Sequence, residues 1–354
     1  MKTHTLACLL LGLLFFAYTS AVQEDQQAAA ALVDSDAGLN VKQIVQKRGY
    51  AIEEHKVVTA DRYILTMFRL PKSYDETQRN VSAAPNKPAV YLIHGLLDSS
   101  YAYVLNFRTQ SLAYLLADAG YDTDNKFWDF TWEDMGKYDL PAMINYVLNA
   151  FVGFSLNQEV ARRVSYFGAL APVAFLGDST SQVFNLLAKT HVDEIVAKLG
   201  VKEFLMRNSL IQDVIGKFAC AFVDEACGTF VNLLTGPSEN INKTRIHVYI
   251  SQTPAGTSVK NMGHYAQGIR DDTFRRYDYG CQCSKLFSIN LCPKAFCKNK
   301  ADLAKLRARL PAGTIVSEKS VAYGHLDYTW AFNANEVIYK DIIAQIKQFE
   351  GKGY

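Results

Sequence analysis

The apolar run Ala89-Val90-Tyr91-Leu92-Ile93 ends in His94-Gly95-Leu96-Leu97. A short apolar strand closing on His-Gly delivers a backbone N–H to the edge of a sheet, where acyl-transfer chemistry needs a donor for a developing oxyanion. Such chemistry also needs a nucleophile. Gly153-Phe154-Ser155-Leu156-Asn157 matches three of the four informative places of a G-x-S-x-G elbow. No strand precedes it, however, so the strained strand-to-helix turn that exposes a serine hydroxyl cannot be built there. Ser155 is therefore read as a helical residue and not as the nucleophile.

The elements that must carry these residues are legible in part. Residues 43–70 read as a hairpin, with Val57-Val58-Thr59 and Tyr63-Ile64-Leu65-Thr66-Met67-Phe68 as its arms. A polar loop over 72–87 leads to the strand 89–93. Residues 111–120 read as a helix with Gly120 at its end, and Asp139 caps a second helix over 140–148. A sheet with parallel strands requires a strand between those helices. Tyr121-Asp122-Thr123-Asp124-Asn125-Lys126 reads as too polar to supply it. Residues 164–175 read as a buried strand and its exit loop, and 314–321 as a late strand. Residues 182–234 are amphipathic and helical, with Val192, Ile195, Val196 and Leu199 on one stripe. Residues 335–349 close the chain as an amphipathic helix.

Composition sets the compartment and excludes some partners. Lys2 and His4 precede a twelve-residue apolar run and then Thr19-Ser20-Ala21, the layout of a secretory signal cleaved after residue 21. Asn80-Val81-Ser82 and Asn242-Lys243-Thr244 are glycosylation sequons at Asn80 and Asn242. With 37 basic and 35 acidic residues the net charge is +2, which offers no field for nucleic acid. No later segment is long and apolar enough to span a bilayer. Once Cys8 leaves with the signal, six cysteines remain. Cys220 and Cys227 are spaced to close a small local ring. Cys281, Cys283, Cys292 and Cys297 crowd one segment, where disulfides compete with a zinc site that lacks paired C-x-x-C spacing.

Longer blocks carry a resemblance. Arg48-Gly49-Tyr50, Asp61-Arg62-Tyr63-Ile64-Leu65, His94-Gly95-Leu96-Leu97-Asp98-Ser99-Ser100, Phe127-Trp128-Asp129-Phe130-Thr131-Trp132, Pro254-Ala255-Gly256-Thr257-Ser258-Val259 and Gly324-His325-Leu326-Asp327-Tyr328 resemble the acid lipase family, the gastric and lysosomal group with its insect members. The blocks run in family order over most of the mature chain.

The resemblance implies an α/β-hydrolase fold with a helical cap or lid. It divides the chain into a signal peptide (1–21), the first part of the core (22–177), a helical cap (178–250) and the second part of the core (251–354). It implies hydrolysis of triglycerides or sterol esters, with Leu96 giving one oxyanion N–H and His325 acting as general base. A disulfide between Cys220 and Cys227 is implied in the cap. The chain is read as a secreted or lysosomal monomer that meets neutral lipid ester or a lipid-droplet surface, without cofactor, metal, nucleic-acid partner or transmembrane segment.

Three family blocks have no counterpart here: the strand and loop after Gly120-Tyr121-Asp122, the nucleophile elbow before Phe151, and the strand bearing the triad aspartate, replaced by 281–297. Asp302 lies upstream of His325 but reads as a helix start and is not nominated as the acid. The sheet is therefore expected to be incomplete. The residues leave three readings open: a lipase with replacement residues, a non-catalytic secreted lipid- or partner-binding protein, and a truncated product without a stable fold.

Overall fold

The structure is a computed structural model that describes residues 36–59, 62–125, 164–171, 175–179, 181–204, 240–273, 277–278, 312–350 and 352, with single residues 232, 238, 308 and 310. Helix α1 (Val41–Lys47) begins at a capping box, in which Asn40 and Gln43 satisfy each other's backbone N–H. Strands β1 (Glu53–Val58) and β2 (Ile64–Leu70) form the expected hairpin in antiparallel register, Val57 facing Leu65 and His55 facing Met67, whereas 43–47, read into that hairpin, belong to α1. The loop expected over 72–87 contains a short helix, α2 (Tyr74–Gln78). Ser73 and Glu76 form a second capping box there, a start signal that the reading of a plain loop passed over.

Strand β3 (Ala89–Tyr91) is followed by a 3-10 turn, Ser100–Tyr103, and by α3 (Leu112–Asp118). Gly120 then adopts φ +94°, the left-handed stop that lets the chain turn back. It turns into β4 (Asp122–Asn125), so the polar segment judged unable to form a strand is one. Strand β4 lies parallel to β3 and antiparallel to β2, giving the order β1-β2-β4-β3. The polarity is accommodated by pairing: Arg69 on β2 makes bidentate bonds of 2.7–3.0 Å to Asp122 and a further bond to Glu53 on β1. Cross-strand charge pairing here replaces the apolar pattern that sequence reading looks for.

Two other expected strands are not found. Residues 164–171 form no strand and are half-buried or exposed. The ring of Tyr166 stacks on Phe349 of the closing helix, and its hydroxyl donates to Gln345. Residues 312–320 are exposed along their whole length, with Ile315 and Val316 facing water. Neither segment has a ladder partner among the described residues.

Helices α4 (Gln182–Lys189) and α5 (Val192–Lys198) lie where helices are expected, but of the α5 stripe only Val192 and Val196 line an apolar cavity, whereas Ile195 and Leu199 are exposed. A two-residue strand, β5 (Glu203–Phe204), comes next. Helix α6 (Ile246–Gln252) leads to β6 (Thr257–Ser258), which pairs with β5, and to α7 (Val259–Asp271). Helix α8 (Asp327–Trp330), a π-helical turn (Asn335–Tyr339) and α9 (Lys340–Phe349) complete the order.

Among the described residues packing separates three clusters of side chains, a small one being Val57, Leu65, Met67 and Tyr91 of the sheet. The main cluster joins α1, α3, α6 and the C-terminal helices through Ile44, Tyr114, Tyr249, Trp330 and Tyr339. A separate cluster of Leu176, Ala188, Ala266 and Ile269 holds α4 against α7. Val248 and Tyr249 sit in the main cluster, and α7 packs with α4 and α5.

Candidate active site

The loop leaving β3 is built to present one donor. Gly95 O accepts Asp98 N–H at 3.3 Å, which closes a tight turn, and Leu97 takes φ +59° within it. Leu97 is buried, and its carbonyl accepts Ala255 N–H at 2.7 Å. The hydroxyl of Tyr103 donates to Ile93 O, just before the turn. Pinned from three sides, the turn leaves the N–H of Leu96 without an acceptor among the described residues, on a residue that is only partly buried. A backbone donor held rigidly and unspent is what stabilisation of an oxyanion requires.

Asp98 is the unexpected member of this loop. It is 8% exposed, and its carboxyl accepts Ser99 N–H at 2.8 Å and the Thr253 hydroxyl at 3.4 Å. Burial, only partly offset by those two bonds, pushes its pKa up to about 7. The block His94-Gly95-Leu96-Leu97-Asp98 was visible in the sequence, but nothing in a lone Asp after two leucines signals burial.

His325 lies on the turn that enters α8. Among the described residues its imidazole makes no hydrogen bond and no ion pair. Solvent reaches the side chain, which limits how far the surrounding protein, by desolvating the charged form, can hold its pKa below the ordinary imidazole value. Helix α8 packs on the 3-10 turn Ser100–Tyr103 that follows the Leu96 loop. Asn106 ties the two regions further, donating to Thr329 O at 3.3 Å and accepting from Tyr249. The His325 turn and the Leu96 loop are thereby anchored to one buried cluster.

Beneath this cluster a buried ion network fixes the N-terminal segment. Arg245 donates to Asp36 at 2.8 Å and to Leu105 O, while Lys47 and Arg48 also bond Asp36. Among the helices, an apolar cavity of about 50 Å³ is lined by Phe184, Leu187, Val196, Phe204, Met262 and Tyr265. At its margin Asp193 is neutralised by a bidentate pair with Arg270, at 2.8 and 3.0 Å.

Ser155, Cys220, Cys227, the cysteines of 281–297, Asp302 and the signal segment 1–21 lie outside the described residues. Asn80 is exposed. Asn242 is 9% exposed, and its Nδ2 donates to Gln110 Oε1 at 3.5 Å. Among the described residues there is no group of three or more side chains able to hold a metal ion, and no helix long and apolar enough to cross a membrane.

Comparison with known proteins places this arrangement. Residues 41–107, which carry α1, the hairpin and the Leu96 loop, match the family described as a partial alpha/beta-hydrolase lipase region. The chain is 32% identical to human lysosomal acid lipase/cholesteryl ester hydrolase, over 90% of this chain and 93% of that protein. The chain belongs to the acid lipase family. It is also 29% identical to human gastric triacylglycerol lipase, over 88% of this chain and 91% of that protein, and 29% identical to mouse lipase member K, over 90% and 93%. The comparison with the human lysosomal enzyme runs over 378 positions, whereas 90% of 354 residues is about 319. About 59 of those positions therefore have no residue in this chain.

Proposed function

We propose that this chain is a secreted acid-lipase-family protein that accepts a neutral lipid ester, triglyceride or sterol ester, and hydrolyses it poorly or not at all. The observation that carries this reading is the free N–H of Leu96 on its pinned turn. In this reading Leu96 binds the ester carbonyl oxygen and His325 is the base. Ser155 does not serve as nucleophile, and no residue is assigned as the triad acid. Two lines support the missing machinery: the shortfall of about 59 positions against the human lysosomal enzyme, and the lack of strand structure among the described residues in 164–171 and 314–321, which fall in two segments expected as strands.

Without a serine, His325 has no hydroxyl from which to take a proton, and the second oxyanion donor, expected just after the serine, is lost with it. What remains can orient and polarise an ester but cannot form an acyl-enzyme.

In the same reading the helices from 178 onward form a cap or lid over the site, with the Cys220–Cys227 disulfide inside it, and residues 22–177 and 251–354 form the core. The chain is a monomer working at lipid surfaces, in the extracellular space or the lysosomal lumen, after loss of residues 1–21.

A fluorophosphonate probe, which labels only activated serines, tests this directly. No labelling of purified protein is expected, while labelling that vanishes in His325→Ala overturns the reading. Cooperative thermal melting of the same sample separates a folded lipid-binding protein from an unstable truncated product.

A further inference from the structure

The imidazole of His325 makes no bond of its own among the described residues, so the backbone turn that carries it sets its direction. That turn is closed by one side chain. Asp327 is fully buried, and its N–H donates to Gly324 O at 3.1 Å while its Oδ2 accepts Gly324 N–H at 2.8 Å. The two bonds brace the turn on either side of His325.

The same carboxylate reaches a distant part of the chain. The hydroxyl of Ser238 donates to Oδ1, and Asn240 Nδ2 donates to Oδ2 at 3.2 Å and to Ala322 O at 3.2 Å. An antiparallel arrangement continues the seam, with Asn242 N–H on Trp330 O and Phe332 N–H on Asn240 O. No cation pairs with Asp327 among the described residues. Its charge is held by neutral, directional donors, which fix geometry more tightly than a mobile lysine would.

We infer that Asp327 is a positioning residue: through Ser238 and Asn240 it locks the turn of His325 to the segment returning from the helical region. The inference rests on reading His325 as the base, but its test does not need ester turnover. A carboxylate is required because it only accepts. An asparagine in its place would aim an amide N–H at one of three donors and lose at least one bond.

The experiment compares wild type with Asp327→Asn and Ser238→Ala, the latter removing a single donor from a half-buried position. His325 is followed by the NMR titration of its ring proton, assigned by its loss in His325→Gln, and by the rate of its modification with diethyl pyrocarbonate. In both variants the titration midpoint is expected to move and the modification rate to rise several-fold, with the other histidines unchanged. If the melting temperature falls while the titration and reactivity of His325 stay at wild-type values, Asp327 is merely structural and the inference is overturned. Should Asp327→Asn fail to fold, Ser238→Ala alone decides. Failure of the lipid reading leaves these ring measurements intact, so the two are judged separately.

Discussion

The guanidinium of Arg245 donates to Asp36 Oδ2 at 2.8 Å, and both side chains are 1% exposed. The pair bridges the start of the described chain to the residue entering α6, with Lys47 and Arg48 on the same carboxylate. Burial works against the charge of Asp36, yet the bonds from Lys47, Arg245 and Arg48 outweigh it and hold the pKa down at about 2. Its contribution is therefore present above the ordinary carboxylate range and is lost as pH falls through about 2.

Removing that acceptor strands Arg245 in the interior. Asp36→Asn should cost about 3 kcal/mol, the lower end for breaking a buried pair from one side. Urea unfolding at pH 7 measures it. A loss below about 1 kcal/mol would put the network in the class of surface pairs.

Asp98 gives the opposite pH signature. Its carboxyl is raised from about 4 to about 7 in the folded chain, so between those values the unfolded state ionises and the folded state does not. Stability should be greatest below about pH 4 and fall as pH rises toward 7, by on the order of 4 kcal/mol at most. Asp98→Asn should flatten that slope. Melting temperatures from pH 4 to 8 for both proteins test it, and parallel curves would contradict the burial account.

Gly120 is needed for its backbone and not for space, since nothing lies within 4 Å of where a Cβ would stand. Gly120→Ala should cost about 1 kcal/mol, the price of a left-handed residue with a side chain. An unchanged denaturation midpoint would mean that the turn between α3 and β4 relaxes.

The two sequons should behave differently. Asn80 stands open to solvent, whereas Asn242 is buried against Gln110. In exported protein, Asn80→Gln should increase gel mobility and Asn242→Gln should not. The reverse pattern would mean that the 240–242 seam opens before folding completes.

What could be read from the residues was whatever repeats a local pattern. The hairpin alternation around Val57 and Leu65, the stop at Gly120, the helices α4 and α5 and the closing helix appear where local pattern places them, though Ile195 and Leu199 of the α5 stripe are exposed. Strand β4 did not, because its segment is polar and Asp122 is paired by Arg69, 53 residues away. Within the expected strands at 164–175 and 314–321, the described residues form no ladder, because β propensity marks a segment that can pair but does not supply the pairing. At the site, the Leu96 loop and the His325 turn were legible as motifs. The roles of Asp98 and Asp327 were not, since burial and bonds to Thr253, Ser238 and Asn240 are tertiary facts.

The central claim is that the Leu96 donor and the His325 base persist without a nucleophile to use them. The direct measurement is hydrolysis of a short and a long acyl ester by purified protein beside His325→Ala. Wild type is expected to sit near the mutant, on the order of a millionfold below a working triad enzyme. Turnover at ordinary lipase rates that disappears with His325 would contradict the claim and show that another residue attacks the ester.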